Sequence, residues 1–167
     1  MTVDGRSQGD SPRWVAALFS GGCLALGFLG SGLGGAFGPQ SWYDDTPKPA
    51  FWPPQWIFPA VWVGNYILMG IATWQVWRER ATRPTTPPLA LFAVHLAHNV
   101  TFIPVVNRAR SRAVYVGMDA TALTLAAATT VAFRGVAPSA ARTMLPYLGW
   151  LVVTTWLKIR WWRLAGR

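Results

Sequence analysis

The chain has 167 residues, of which 52% are hydrophobic and only 13% are charged, a balance that is unusual for a water-soluble domain of this size. Its net charge of +9 comes from basic residues scattered over short segments between apolar runs, without the basic stripe or arm of a protein that binds nucleic acid. The single cysteine, Cys23, excludes an intrachain disulfide and a zinc site built from several thiolates. We therefore expect an integral membrane protein with no nucleic-acid partner.

Five apolar runs are long enough to cross a bilayer, for which about 20 residues suffice. They are predicted as membrane spans over residues 14–37, 56–77, 89–106, 113–133 and 139–160. A polar N-terminal tail over residues 1–12 precedes them, and a short C-terminal tail over residues 164–167 follows. The predicted fold is all-α, a bundle of five transmembrane helices over residues 13–163.

The first run is the one that could instead be a cleavable signal peptide, because Arg13 precedes it. It is longer than a typical signal-peptide core and lacks a clear A-x-A ending, which favours a membrane span. Gly30, Gly34 and Gly38 recur at four-residue spacing, and such small residues let a neighbouring helix approach closely in lipid. This pattern predicts tight helix packing and does not by itself predict dimerisation.

The third and fourth runs contain polar groups that are costly against lipid and must face protein. His95 and Asn99 lie four residues apart on one face of the third span, and Phe102 continues that face. The fourth span contains Asp119, which is either paired structurally or part of a proton pathway. Lysine and arginine are shared almost equally between the two sides, so the positive-inside rule does not orient the chain.

The segment between the first two spans, which we call the first connection, alternates prolines with aromatic residues. Prolines forbid helix there and stiffen the chain, so the first connection should form an ordered cover. Within the second span, Phe58, Trp62, Tyr66 and Met69 fall on one helical face. Eleven tryptophans favour a cavity lined by aromatic rings beneath this cover, although ordinary helix packing also explains the spacing.

Three blocks of sequence carry a specific pattern in a fixed order. The first block contains WY at 42 and 43, KP at 48 and 49, PP at 53 and 54, and then Trp56, Trp62, Tyr66 and MG at 69 and 70. The second contains LA at 96 and 97 with Asn99, and the third contains AAATTVAF at 126–133 and PYLGW at 146–150. Together these blocks resemble the family of tryptophan-rich sensory proteins and translocator proteins, also called peripheral-type benzodiazepine receptors.

The resemblance implies a five-helix bundle, often a homodimer, with a pocket beneath the first connection that binds porphyrins, haem, sterols or similar flat hydrophobic molecules. No cofactor is expected to be required. By position, the implied ligand-binding residues are Tyr43, Phe58, Trp62, His95, Asn99, Phe102, Trp150 and Thr154. A multi-pass protein of a bacterial cell membrane is the expected location.

Several residues depart from the family pattern, so the pattern does not determine which ligand binds. Phe102 stands where the family usually has Trp, and Lys158 stands where it usually has Asn. Ile159 removes the tyrosine of the vertebrate cholesterol-recognition pattern, which argues against sterol transport. His95 could bind haem iron through a neutral imidazole, but a histidine that is hydrogen-bonded within the pocket or core is the favoured interpretation.

The favoured function is a membrane receptor or sensor that binds tetrapyrroles. One alternative is a light-dependent enzyme that degrades porphyrins, with Trp62 and Trp150 as the residues involved in the chemistry; the sequence has no conventional hydrolase or phosphoryl-transfer motif. A second alternative is a transporter of porphyrins, lipids or sterols, in which Asp119 would take part.

Overall fold

The computed structural model describes residues 12–35, 42 and 46–164. The described chain folds into five long helices, with a short 3₁₀ turn at Glu79–Ala81 after the second. The helices are α1 (Arg13–Leu33), α2 (Ile57–Arg78), α3 (Thr86–Ala109), α4 (Arg112–Val136) and α5 (Pro138–Leu164). No strand occurs in these described segments. The all-α prediction is confirmed.

Each helix begins and ends within four residues of its predicted span. The largest difference at an N-terminus is in α3, which starts at Thr86 and carries prolines in its first turn, where the missing N–H would have no helical partner. The end of α1 at Leu33 comes before a turn in which Gly35 adopts a φ of 76°. Glycine allows this left-handed geometry without steric cost, so the helix stops four residues before the predicted end.

Four helices, α1 to α4, are long and apolar enough to cross a membrane, with α2 counted together with its 3₁₀ extension. The fifth is the longest, at 27 residues, but contains buried polar side chains such as Thr154 and Lys158 that lower its hydropathy. It packs along α4 and α2 as an integral part of the same bundle. The chain is therefore an integral multi-pass membrane protein.

The helices close into a ring. Going around the bundle, α1 contacts α2, α2 contacts α5, α5 contacts α4, α4 contacts α3, and α3 returns to α1. Neighbours in sequence are therefore not always neighbours in space, since α5 lies between α2 and α4. Residues from distant parts of the chain consequently face one another across the middle of the ring.

Two glycines permit the closest helix contacts in this ring. A Cβ added at Gly30 of α1 would collide with the backbone of Val100 in α3, and one at Gly70 of α2 would collide with the backbone of Ser20 in α1. The Ser20 hydroxyl also donates a hydrogen bond to the Ile67 carbonyl at 3.1 Å. The glycine pattern of α1 is thus used within the bundle at Gly30 and Gly34, as the sequence indicated; Gly38 lies outside the described residues.

The two ends of the bundle are packed differently. One half, formed by the C-terminal half of α2, the start of α3, the end of α4 and the start of α5, is filled by a continuous apolar core that includes Met69, Val76, Phe133, Met144 and Leu151. The opposite half, which lies under the first connection, encloses a cavity. The fold therefore provides a rigid base for a ligand-sized space.

We predict that Gly30→Ala lowers the thermal unfolding midpoint in detergent, because the added methyl group meets the Val100 backbone, which cannot yield as a flexible side chain would. Overpacking of this kind costs about 1–3 kcal/mol. The matched control is Gly22→Ala on the same helix, where a Cβ would meet nothing within 4 Å and where alanine favours helix. Equal midpoints for the two variants would contradict the close approach of α1 and α3.

Candidate functional site

The cavity has a volume of about 680 Å³ and is bounded by all five helices and the first connection. Eight of the nineteen described residues that line it are aromatic. The aromatic residues that line it are Phe28, Trp52, Trp56, Phe58, Trp62, Tyr66, Phe102 and Tyr115. Apolar walls with a few polar groups are typical of small-molecule sites, which usually measure about 300–1,000 Å³.

Five of the eight residues predicted from sequence meet at this cavity: Phe58, Trp62, Asn99, Phe102 and Thr154. They come from α2, α3 and α5, which the sequence alone could not place side by side. The ring closure explains the convergence, because it sets α2 against α5 and leaves α3 opposite.

The other three predicted residues have different positions. Trp150 contacts Phe58 with its ring centroid 5.7 Å away but is not among the described residues that line the cavity. Its indole nitrogen is buried without a hydrogen-bond partner in the described parts of the chain. His95 is completely buried in the packed half, and Tyr43 lies outside the described residues.

The floor of the cavity is a buried hydrogen-bond network centred on the Tyr147 hydroxyl. This oxygen lies 2.9 Å from His95 Nε2 and 3.1 Å from Asn99 Nδ2. The hydroxyl can also donate its own proton, either to Nε2 or to Asn99 Oδ1 at 3.4 Å. The other ring nitrogen of His95, Nδ1, lies 3.4 Å from the Thr129 hydroxyl. Because a hydroxyl both donates and accepts, either tautomer of His95 satisfies these contacts, and the network joins α3, α4 and α5.

This network also determines what His95 can do. In either tautomer both ring nitrogens face hydroxyl groups, and the imidazole stacks on the Tyr147 ring at 5.5 Å. An axial iron ligand needs a free nitrogen lone pair directed at the ligand. Of the two interpretations, haem ligand and hydrogen-bonded histidine, the geometry of His95 matches the second. Asn99 is the member of the network that lines the cavity.

Trp62 is the largest aromatic residue of the floor. Its ring lies 5.6 Å from that of Tyr66 and 6.0 Å from that of Tyr147, so it is held from below by the same tyrosine that anchors the polar network. Aromatic contacts of this kind fix ring orientation. The face of Trp62 that remains on the cavity is thus a pre-positioned stacking surface.

The first connection covers the opposite side of the cavity. Thr46 accepts a hydrogen bond of 2.9 Å from the Trp161 indole nitrogen of α5, and Phe51 stacks on Trp156 at 5.0 Å. Trp52 contacts both Phe58 and Trp161. The described part of the first connection is therefore fastened to α5 and α2 by aromatic contacts, as its alternation of proline and aromatic residues predicts.

Asp119 pairs with a residue that the sequence did not link to it. Its carboxylate, 1% exposed, forms an ion pair with Lys158 of α5. The Thr155 hydroxyl donates to the second carboxylate oxygen at 2.7 Å, and that of Thr154 does so at 3.3 Å. Of the two interpretations of Asp119, the geometry matches the paired carboxylate.

Sequence reasoning missed some residues of the site. Lys158, Tyr115 and Trp52 all line the cavity, yet only the position of Lys158 in an apolar helix gave a usable signal, since a cation there needs a partner. Tyr147, the centre of the floor, lies in the PYLGW block but carried no pattern that distinguished it from a packing residue. Its role depends on partners 48 and 52 residues away in the chain.

Comparison with known proteins identifies the family. The model of the TspO/MBR family matches residues 19–163. The human translocator protein is 38% identical over 160 residues, which is 92% of each chain. The tryptophan-rich sensory protein of Cereibacter sphaeroides is 32% identical over 126 residues, or 75% of this chain and 78% of that one. A tryptophan-rich protein TspO from Chlorobaculum tepidum is 32% identical over 155 residues, or 84% and 89% of the two chains. The chain described here belongs to the TspO/MBR family.

Proposed function

We propose that this protein is a membrane receptor that binds a tetrapyrrole, or a ligand of similar flat and hydrophobic shape, in the cavity beneath the first connection. The observation that carries the proposal is the cavity of about 680 Å³ lined by aromatic rings from the first connection and from α1, α2, α3 and α4. Flat aromatic surfaces on several sides favour a flat, polarisable ligand over a flexible lipid chain. We place the protein in a bacterial cell membrane.

The polar groups of the cavity support the same ligand class. Asn99, which is 7% exposed, contributes an amide, and Thr154, which is 3% exposed, contributes a hydroxyl, while most of the remaining wall is apolar or aromatic. Buried polar groups need partners. The Asn99 amide contacts Tyr147 and keeps a second N–H donor, and the Thr154 hydroxyl donates to Asp119 or Leu151 and keeps its lone pairs as acceptors. A macrocycle that stacks on the aromatic rings and presents polar substituents at its edge would meet both requirements.

We predict that protoporphyrin binds the purified protein in detergent with a shift of its Soret absorbance and quenching of tryptophan fluorescence. Trp62→Ala should weaken binding by about tenfold or more, because it removes the main stacking surface of the floor. Trp150→Ala should have a smaller effect, since Trp150 contacts Phe58 without lining the cavity.

Trp162→Ala is the matched control, because Trp162 is 47% exposed and is not among the residues given for the cavity wall. It removes the same side chain without touching the site. The absence of a Soret shift in the unmodified protein would refute tetrapyrrole binding. Equal loss of affinity in the Trp62 and Trp162 variants would refute the location of the site.

A second candidate function, light-dependent porphyrin degradation, is favoured by one observation. Trp62, on the cavity wall, has its ring centroid 6.0 Å from that of Tyr147, and the Tyr147 hydroxyl lies 2.9 Å from His95 Nε2. An oxidisable tryptophan therefore lies next to a tyrosine whose proton would pass to the imidazole on loss of an electron, in the tautomer that leaves Nε2 unprotonated. Such a chain would support oxidation of a bound porphyrin by dioxygen under illumination.

If the protein has this activity, illumination of the aerobic complex yields a new absorbing product, and Trp62→Phe lowers the yield severalfold whereas Trp150→Phe lowers it little. The physical reason is that Trp62 alone of the two lines the cavity. Product analysis by chromatography, with yields normalised to bound porphyrin, separates chemistry from affinity. A yield that is unchanged in Trp62→Phe would remove this second function and leave the receptor proposal intact.

A further inference from the structure

The charged side chains on the cavity wall all have the same sign. Among the lining residues that the structure describes, Lys48 and Lys158 carry charge and no carboxylate is present. Lys158 is buried, with 7% of its surface exposed. A cation at that depth in an apolar wall is costly unless it has a defined partner, so its position requires an explanation.

Asp119 is the partner, but it does not explain why the pair exists. The carboxylate is held by Lys158, Thr154 and Thr155 and is not itself part of the cavity wall. A buried ion pair contributes little to stability compared with apolar side chains of similar volume. Packing of α4 against α5 therefore gives no reason for a lysine at this position, whereas a role for its ammonium group in the cavity does.

The ammonium group has hydrogen-bonding capacity left. It carries three N–H donors, and within the described segments its one hydrogen-bond acceptor is Asp119. On its other sides lie the rings of Tyr115 and Phe102, whose centroids are 4.6 Å and 5.0 Å from Nζ. Ring faces stabilise the charge without accepting a directed hydrogen bond of ordinary strength. A donor therefore remains for a ligand.

We propose that Lys158 is a binding site for an acidic group, a carboxylate, of the ligand that occupies this cavity, and that Asp119 positions its ammonium group. This inference rests on the proposed function and narrows its ligand class to flat hydrophobic acids. The ligand carboxylate and Asp119 would share Lys158, while the Asp119 carboxylate also accepts hydrogen bonds from the Thr155 and Thr154 hydroxyls.

The test compares protoporphyrin, which has two free carboxylates, with its dimethyl ester, which has the same ring and no negative charge. Each is titrated into the full-length protein in the same detergent. We expect the free acid to bind about tenfold more tightly than the ester, because a charge-assisted hydrogen bond in an apolar wall is lost in the ester. The ratio of the two affinities is the readout.

The variants are chosen to keep the fold. Lys158→Gln alone would leave Asp119 buried and unpaired, which is strongly destabilising. The test variant is therefore the double change Asp119→Asn with Lys158→Gln, which removes both charges and keeps hydrogen-bonding side chains. Arg160→Gln is the matched control, since Arg160 is an exposed cation of the same helix that lies over Trp156 and is not among the cavity residues.

The double variant should lose the preference and bind acid and ester with equal affinity, and Arg160→Gln should keep the tenfold preference. A purely structural role for the pair would weaken both porphyrins together and leave their ratio unchanged, which would overturn the inference. Equal affinities in the unmodified protein would also overturn it, although tetrapyrrole binding would stand. Binding of neither porphyrin would overturn the proposed function and this inference together.

Discussion

The hydrogen bonds of the Tyr147 hydroxyl are the interaction on which the arrangement of the site depends. In lipid, polar groups within a helix bundle must find partners inside the protein, and this single oxygen satisfies His95 of α3 and Asn99 one turn further along. The network lies at the level where the continuous core ends and the cavity begins. The Tyr147 ring also packs against Trp62, with the two ring centroids 6.0 Å apart. The hydroxyl thus joins α3 and α5, which are not neighbours in the ring, across the middle of the bundle.

The cavity exists because the two halves of the bundle are built from different side chains. The packed half of the bundle is filled by small and flexible apolar residues such as Ala126, Ala140 and Met144, which let the helices approach closely. The opposite half is built largely from aromatic rings and prolines, and the space between them is the cavity. The first connection closes over this half through contacts such as Phe51 with Trp156. The buried pair of Asp119 and Lys158 lies in the same half, and Lys158 lines the cavity. We propose that its ammonium group binds a ligand there.

Much of the fold could be predicted from sequence because it depends on local quantities. Apolar length located all five helices to within four residues, and helical periodicity placed Phe58 and Trp62 on one face of α2. The site could be predicted only in part. Asn99 and Thr154 were placed by resemblance and lie on the cavity, whereas Trp150, from the same blocks, lies against Phe58 outside the cavity wall. The pairing of Asp119 with Lys158 spans 39 residues, and nothing local encodes such a contact. It follows from the ring order, which places α5 beside α4.

The half of the bundle above the Tyr147 floor is the ligand site that we propose. A crystal structure of the protein with bound protoporphyrin would test this location. We expect electron density for a macrocycle within the cavity, stacked on Trp62, with a carboxylate at Lys158 and the first connection closed above it. Density for the porphyrin on the outer, lipid-facing surface of the helices, with the cavity unfilled, would refute the proposed site.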